Sequence, residues 1–93
     1  MKQKEWPATA AEAGGVLIAT LSDEEKATIS AMAESELVSL HMSLGAWIRN
    51  NFGLWSGNRP LLDSTGESHP DDAAMAIIVA VWRRLREVVP KVH

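Results

Sequence analysis

The chain of 93 residues contains no cysteine and no tyrosine, and it has only one phenylalanine. The absence of cysteine excludes disulfides, thiolate metal sites and cysteine nucleophiles. Long apolar runs are also missing: the stretch VLIATL, residues 16–21, is far too short to span a bilayer, and the N-terminal segment lacks the apolar core of a secretory signal. We therefore expect a cytoplasmic protein that has no membrane partner.

Positive charge is scarce, because nine Lys and Arg residues face twelve Asp and Glu residues and give a net charge of −3. Phosphate binding requires a concentrated positive field, so we expect no nucleic-acid partner. The one basic cluster consists of Arg83, Arg84 and Arg86. It is typical of the last turn of a helix, where cations interact favourably with the helix dipole.

The length of the chain fits one domain, residues 1–93, in which residues 1–7 form a polar tail. So small a domain buries only about 60–65% of the surface that its unfolded chain exposes. Its stability must therefore depend on a few large side chains, and we expect these to be Trp47, Phe52, Trp55 and Trp82.

Two capping boxes predict the first two helices. Thr9 with Glu12 precedes a helix from about residue 10 to residue 19, and Ser22 with Glu25 precedes a helix that reaches about Met32. Glycines at positions 14 and 15 weaken the first helix by about 1 kcal/mol each relative to alanine. Such a pair either marks a close helix crossing or splits the segment, and we favour the crossing.

A central helix is predicted from about Glu34 to Asn51. Ala33 is at its N-cap, where an alanine side chain cannot accept the hydrogen bond of a free backbone amide. At 100° per residue, one apolar stripe carries Leu37, Leu40, His41, Leu44, Ile48 and Asn51. The opposite side carries Val38, Met42, Gly45 and Ala46. A helix that is apolar or small on both sides is expected to pack on both sides, with Gly45 allowing a second helix to come close.

Two further helices complete the predicted fold. Gly53 stops the central helix in the left-handed conformation, and a short helix begins at Pro60 and ends before Gly66. The last helix runs from about Pro70 to Val89, where Pro90 stops it. Its apolar stripe comprises Ala74, Ile77, Ile78, Val81, Trp82, Leu85 and Val88. No stretch alternates like a strand, so the chain is predicted to be all-α, a compact bundle of four main helices and one short helix.

One set of motifs resembles a known family. His41, Leu44-Gly45, the unbroken run WIRNNFGLW at residues 47–55 and HPDD at residues 69–72 are similar to a small bacterial domain family of unknown function. Its pattern is close to H-F-G-L-G-x-W-I-R-N-N-[FW]-G-L-W followed by H-P-D-D. The resemblance covers about residues 36–85, and it departs at Met42-Ser43, where the family usually has Phe-Gly. It implies no particular activity.

Candidate site residues come from these two motifs: His41, Arg49, Asn50, Asn51, His69, Asp71 and Asp72. Because consecutive helical residues diverge by 100°, the Arg-Asn-Asn triplet either braces the helix end or sends one side chain across the fold. In the second case Arg49 or Asn50 meets the segment from His69 to Asp72, as a structural clamp or as a ligand pocket. His41 is expected in the core and His69 at the N-cap of the last helix. No spacing indicates a metal site, and we expect no cofactor.

Catalytic signatures are absent, so we expect a protein that is not an enzyme. The favoured function is a protein-interaction module of the inhibitor, immunity or accessory type, with Phe52, Leu54 and Trp55 as the candidate interface. Trp55 itself is expected to be buried between the central and last helices, and only if it is exposed would it be an anchor. The alternative is a small-ligand or hydrolytic site between the central helix and the HPDD turn. Self-association through the last helix is a third option.

Overall fold

The computed structural model describes residues 6–88, without the side chain of Val88. Three predictions lie outside the described residues: those about residues 1–5 of the tail, about the Val88 side chain, and about a helix end at Val89 and Pro90. The helices are α1 (Ala10–Thr20), α2 (Asp23–Ala31), a 3-10 helix (Glu34–Leu40), α3 (Leu44–Asn51), α4 (Arg59–Ser64) and α5 (Pro70–Val88). No strand occurs in this part of the chain, so the all-α prediction is confirmed.

Helix α5 lies at the centre of the fold, and α1, α2, α3 and the 3-10 helix all pack against it. The buried apolar side chains of residues 6–88 form one cluster, in which α5 contributes the largest share. The members are Ala13, Leu17, Ile29, Leu37, Ile48, Phe52, Leu54, Leu61, Ala73, Ala74, Ile77, Ile78, Val81 and Leu85.

The N-terminal caps form largely as their sequences predict. Ser22 and Glu25 make a reciprocal capping box at α2, with hydrogen bonds of 2.8 and 3.0 Å. At α1 the Thr9 hydroxyl accepts from the Glu12 amide at 3.1 Å, but the Glu12 carboxylate accepts from Ala8 rather than from Thr9. The second half of the first box is therefore displaced by one residue.

The glycine pair at positions 14 and 15 lies inside an unbroken α1. A Cβ atom on Gly14 would lie 3.6 Å from the Val81 side chain and 3.5 Å from that of Arg84, both on α5. The favoured interpretation as a helix crossing therefore agrees with the structure, and the alternative of a split does not.

The prediction of one central helix is wrong. The segment is a 3-10 helix followed by a turn at residues 41–43 and then by the short α3. Ser39 donates its hydroxyl to the Glu36 carbonyl at 2.8 Å, one of the local bonds by which serine competes with helical pairing. The His41 carbonyl accepts from the Arg49 guanidinium at 3.5 Å, so a tertiary contact takes the place of a helical bond.

The prediction that this segment packs on both sides is also wrong. Val38 is 67% exposed and Met42 is 78% exposed, whereas Leu37 and Ile48 are fully buried. Only Gly45 meets the expectation of a close approach, since a Cβ there would lie 3.9 Å from the Ile78 side chain of α5. The turn rotates the two halves of the segment, which leaves Val38 and Met42 in solvent while Gly45 stays buried.

The arginine cluster at the end of α5 takes part in the fold. Arg84 donates to the Ala11 carbonyl at 3.4 Å, and Arg86 donates to the Ser30 carbonyl at 3.0 Å. Arg86 also lies 5.0 Å above the Trp82 ring, whose indole N–H donates to a carbonyl just after α2. Two of the three arginines therefore join α5 to α1 and α2.

Candidate functional site

The site begins where α3 ends. Gly53 has a φ of +74°, and the Leu54 amide donates back to the Arg49 carbonyl at 3.2 Å, as expected for a left-handed helix stop. This turn buries Phe52 and Leu54 in the core. Neither can serve as an interface residue in the folded chain, so that part of the interface prediction is wrong.

Trp55 follows directly and is 56% exposed. The expectation that it fills the core between the central and last helices is therefore wrong. The reason is the tight backbone reversal at Gly53, which directs Leu54 inward and carries the next residue past the edge of the core. Of the two alternatives that the sequence left open for Trp55, the exposed one is correct.

Arg49 crosses the fold to α5. Its side chain is only 10% exposed, and its Nε atom lies 3.3 Å from Oδ1 of Asp71, whose side chain is 41% exposed. The structure thus brings together one of the pairs that the sequence allowed. Because one partner is buried and the other reaches solvent, the energetic character of the pair is intermediate between that of a surface ion pair and that of a buried one.

His69 occupies the N-cap of α5, where its carbonyl accepts from the Ala73 amide at 2.9 Å. Its ring nitrogen Nδ1 accepts from the Asp71 amide at 3.1 Å. The ring also meets Trp55 edge to face, with centroids 5.7 Å apart and planes at 90°. The ring is therefore fixed from two sides. We call Arg49, Trp55, His69 and Asp71 the α3–α5 junction.

The other candidate residues lie outside this junction. Asn51 donates to the Trp47 carbonyl at 2.9 Å and braces the end of its own helix. Asn50 and Asp72 are exposed, and within residues 6–88 their side chains make no hydrogen bond or ion pair. His41 is half-buried, and its imidazole has no hydrogen bond to the described residues. The triplet therefore divides into one clamp residue, one helix brace and one solvent-exposed residue.

Two structural residues near the site were not among the predicted site residues. Asn58 is buried, donates to the carbonyls of Pro7 and Phe52 at 3.0 and 2.7 Å, and caps α4 by accepting from the Leu61 amide. Trp6 packs on Gly53 so closely that a Cβ there would lie 2.5 Å from its ring. The signal for Asn58 was available, since an asparagine two residues before a proline is a good N-cap.

Metal binding has no support from the described residues. No group of three or more His, Asp or Glu side chains there could hold an ion. His69 uses Nδ1 for the backbone amide of Asp71, and the nearest Asp71 oxygen is 3.9 Å from that atom. Among residues 6–88, moreover, no helix is both long and apolar enough to cross a membrane.

The class of protein that these observations define is a small all-α protein whose helices surround one long C-terminal helix. The chain belongs to the family described as a domain of unknown function (DUF6794), whose family model matches residues 6–85. The match begins thirty residues earlier than the region in which the sequence motifs show a resemblance. No curated protein and no solved structure is significantly similar to the chain.

Proposed function

We propose that the protein is a protein-interaction module whose contact surface is centred on Trp55. The observation that carries this proposal is the 56% exposure of the Trp55 side chain beside a well-defined set of contacts. Tryptophan contributes disproportionately to binding energy at interfaces, because it offers a large rigid apolar surface.

The contacts around Trp55 favour binding because they order its surroundings in advance. His69 is held by the Asp71 amide and meets the indole edge to face, while Arg49 joins Asp71 to α3. A partner would therefore lose less conformational entropy on docking here than on a freely moving side chain. Asp71 and His69 also offer polar atoms at the rim of such a contact.

The alternative, a small-ligand or hydrolytic site at the same junction, has less support. The Arg49 side chain is only 10% exposed and its guanidinium already contacts Asp71 and the His41 carbonyl, so little of it is accessible to an anionic ligand. The one pocket described below contains neither Arg49, Asn50 nor His69. A protein partner is therefore the occupant that we propose.

Photo-crosslinking in the native host tests this proposal. A photoreactive amino acid replaces Ser56, which is exposed and adjacent to Trp55, and in a matched control it replaces the exposed Ser35 of the 3-10 helix. We expect a discrete protein adduct at position 56 that is absent at position 35 and is lost when Trp55→Ala is added. Adducts that persist in the Trp55→Ala background, or that are the same at both positions, would contradict the proposal.

The control for folding is the thermal midpoint of Trp55→Ala. Since the side chain is mostly in solvent, its removal is expected to cost less than about 1 kcal/mol. A cross-link that disappears without a large loss of stability therefore reports on binding and not on unfolding.

A further inference from the structure

A second surface lies away from the α3–α5 junction. It is an open groove of about 630 Å³ between α1, α2, the end of the 3-10 helix and the start of α3. Its apolar lining consists of Leu17, Leu21, Ile29, Leu40, Leu44 and Trp47. Trp47 is 37% exposed, and Val16, one turn before the lining residue Thr20, is an exposed apolar side chain that extends the surface along α1.

The charge at the groove has one sign. Glu24 and Glu25 line it, and no lysine or arginine does. The hydroxyls of Thr20 and Thr28, which also line it, donate to carbonyls of their own helices at 2.7 and 3.0 Å. Among the described residues, the groove therefore combines an apolar floor with a rim whose formal charges are carboxylates, of which that of Glu25 also accepts from the Ser22 amide.

We propose that this groove binds an amphipathic helical segment of a partner protein, with apolar side chains on one face and lysine or arginine beside them. Helices dock in this way when apolar residues spaced by three or four positions enter a groove and flanking charges match its rim. Because the groove is open to solvent, it encloses a small molecule less completely than ligand pockets usually do. It can hold the side chains of a peptide whose other face remains in water.

A second copy of the chain fits the groove poorly. A symmetric dimer through this surface would bring two acidic rims together, since Glu24 and Glu25 line the groove in each copy. Facing carboxylates repel each other, whereas a basic segment is attracted to them. The proposal goes beyond the one for Trp55, because the two surfaces share no residue.

The experiment uses the full chain and three synthetic peptides. The first is a helical peptide with leucines at positions i, i+3, i+4 and i+7 and lysines beside them. The second has glutamates in place of the lysines, and the third has the composition of the first in an order that gives no apolar face. Binding is followed by amide and indole shifts in two-dimensional NMR. We expect the first peptide to bind, with shifts concentrated at Leu21, Glu24, Leu44 and the Trp47 indole.

Variants then test the role of the acidic rim. Glu24→Lys is expected to weaken binding of the first peptide about fivefold or more, whereas the exposed Glu87→Lys, with the same change of charge outside the groove, should change it less than about twofold. Trp55→Ala should leave it unchanged, so failure here and failure of the Trp55 proposal can be told apart.

Several results would overturn the groove proposal. They are equal binding of the basic and acidic peptides, equal binding of the peptide without an apolar face, and shifts that map to the α3–α5 junction. Self-association that perturbs the groove signals without any peptide would identify a second copy as the occupant and would also overturn it.

Discussion

The ion pair between Arg49 and Asp71 makes an asymmetric prediction, because only one partner is buried. Removal of one partner from a fully buried pair costs about 3–5 kcal/mol, and an exposed pair is worth about 0–1 kcal/mol. Within residues 6–88, Asp71→Ala leaves a guanidinium that is 10% exposed with only the His41 carbonyl, at 3.5 Å, as a partner. We therefore expect a loss of about 2 kcal/mol in the free energy of unfolding, between the two limits.

The neighbouring Asp72 provides the matched control. It shares the first turn of α5 and its favourable interaction with the helix dipole, which is worth about 0.5 kcal/mol, but within residues 6–88 it makes no ion pair. Asp72→Ala should therefore cost only about that amount. The difference between the two alanine variants therefore reports the side-chain contacts of Asp71, chiefly its ion pair with Arg49.

Substitution of the other partner is expected to cost less. Arg49→Met keeps an apolar stem in the core and leaves an Asp71 carboxylate that is 41% exposed and can be hydrated, so the cost should be about 1 kcal/mol or less. All three variants are measured by urea denaturation followed by far-UV circular dichroism. The reasoning is refuted if Asp71→Ala and Asp72→Ala are equally stable, or if Arg49→Met is the most destabilised.

Three further stability predictions use the same assay. Gly53→Ala should lower the free energy of unfolding by about 2–3 kcal/mol, because it combines a left-handed φ with a clash against the packed Trp6 indole. The control Gly66→Ala, with φ +79° and open space, should cost only about 1 kcal/mol. Equal losses would mean that the indole contact is unimportant. Asn58→Ala should cost about 2–3 kcal/mol in the free energy of unfolding, because two hydrogen bonds of its buried side chain are lost. The control Asn50→Ala, at an exposed side chain, should cost almost nothing. An unchanged stability of Asn58→Ala would refute the role of Asn58 in joining the Pro7 and Phe52 carbonyls. Ala33→Ser should raise the free energy of unfolding by about 0.5 kcal/mol. The gain is small because the Glu36 amide, which a serine hydroxyl would accept from, already donates to the Ala33 carbonyl. A lowered midpoint would count against a helix start at this position.

Local rules predicted the parts of the fold that depend on a few neighbouring residues. The box at Ser22, the helix stop at Gly53 and the N-cap at His69 all follow from hydrogen bonds within three to five positions. The all-α class followed from the same signals, together with the absence of alternation. These features need no knowledge of tertiary packing.

The errors arose where distant residues decide the local structure. At the break after Leu40 the His41 carbonyl accepts from Arg49, a contact between side chain and backbone that periodicity alone cannot reveal. Likewise, Phe52, Leu54 and Trp55 are all apolar, and only the direction of the chain after Gly53 determines which of them reaches solvent. The contact between α3 and α5 could be anticipated from charge, but the choice of Asp71 over Asp72 required the structure.

The most direct test of the account is the dissociation constant for the protein captured through position 56, measured by isothermal titration calorimetry. We compare the native chain with Trp55→Ala and with Trp47→Ala, a control that removes a tryptophan from the groove instead. A central tryptophan is worth about 2 kcal/mol or more, so Trp55→Ala should weaken binding about 30-fold or more and Trp47→Ala less than about threefold. Binding of the captured protein that changes less than about twofold in Trp55→Ala would contradict the central claim.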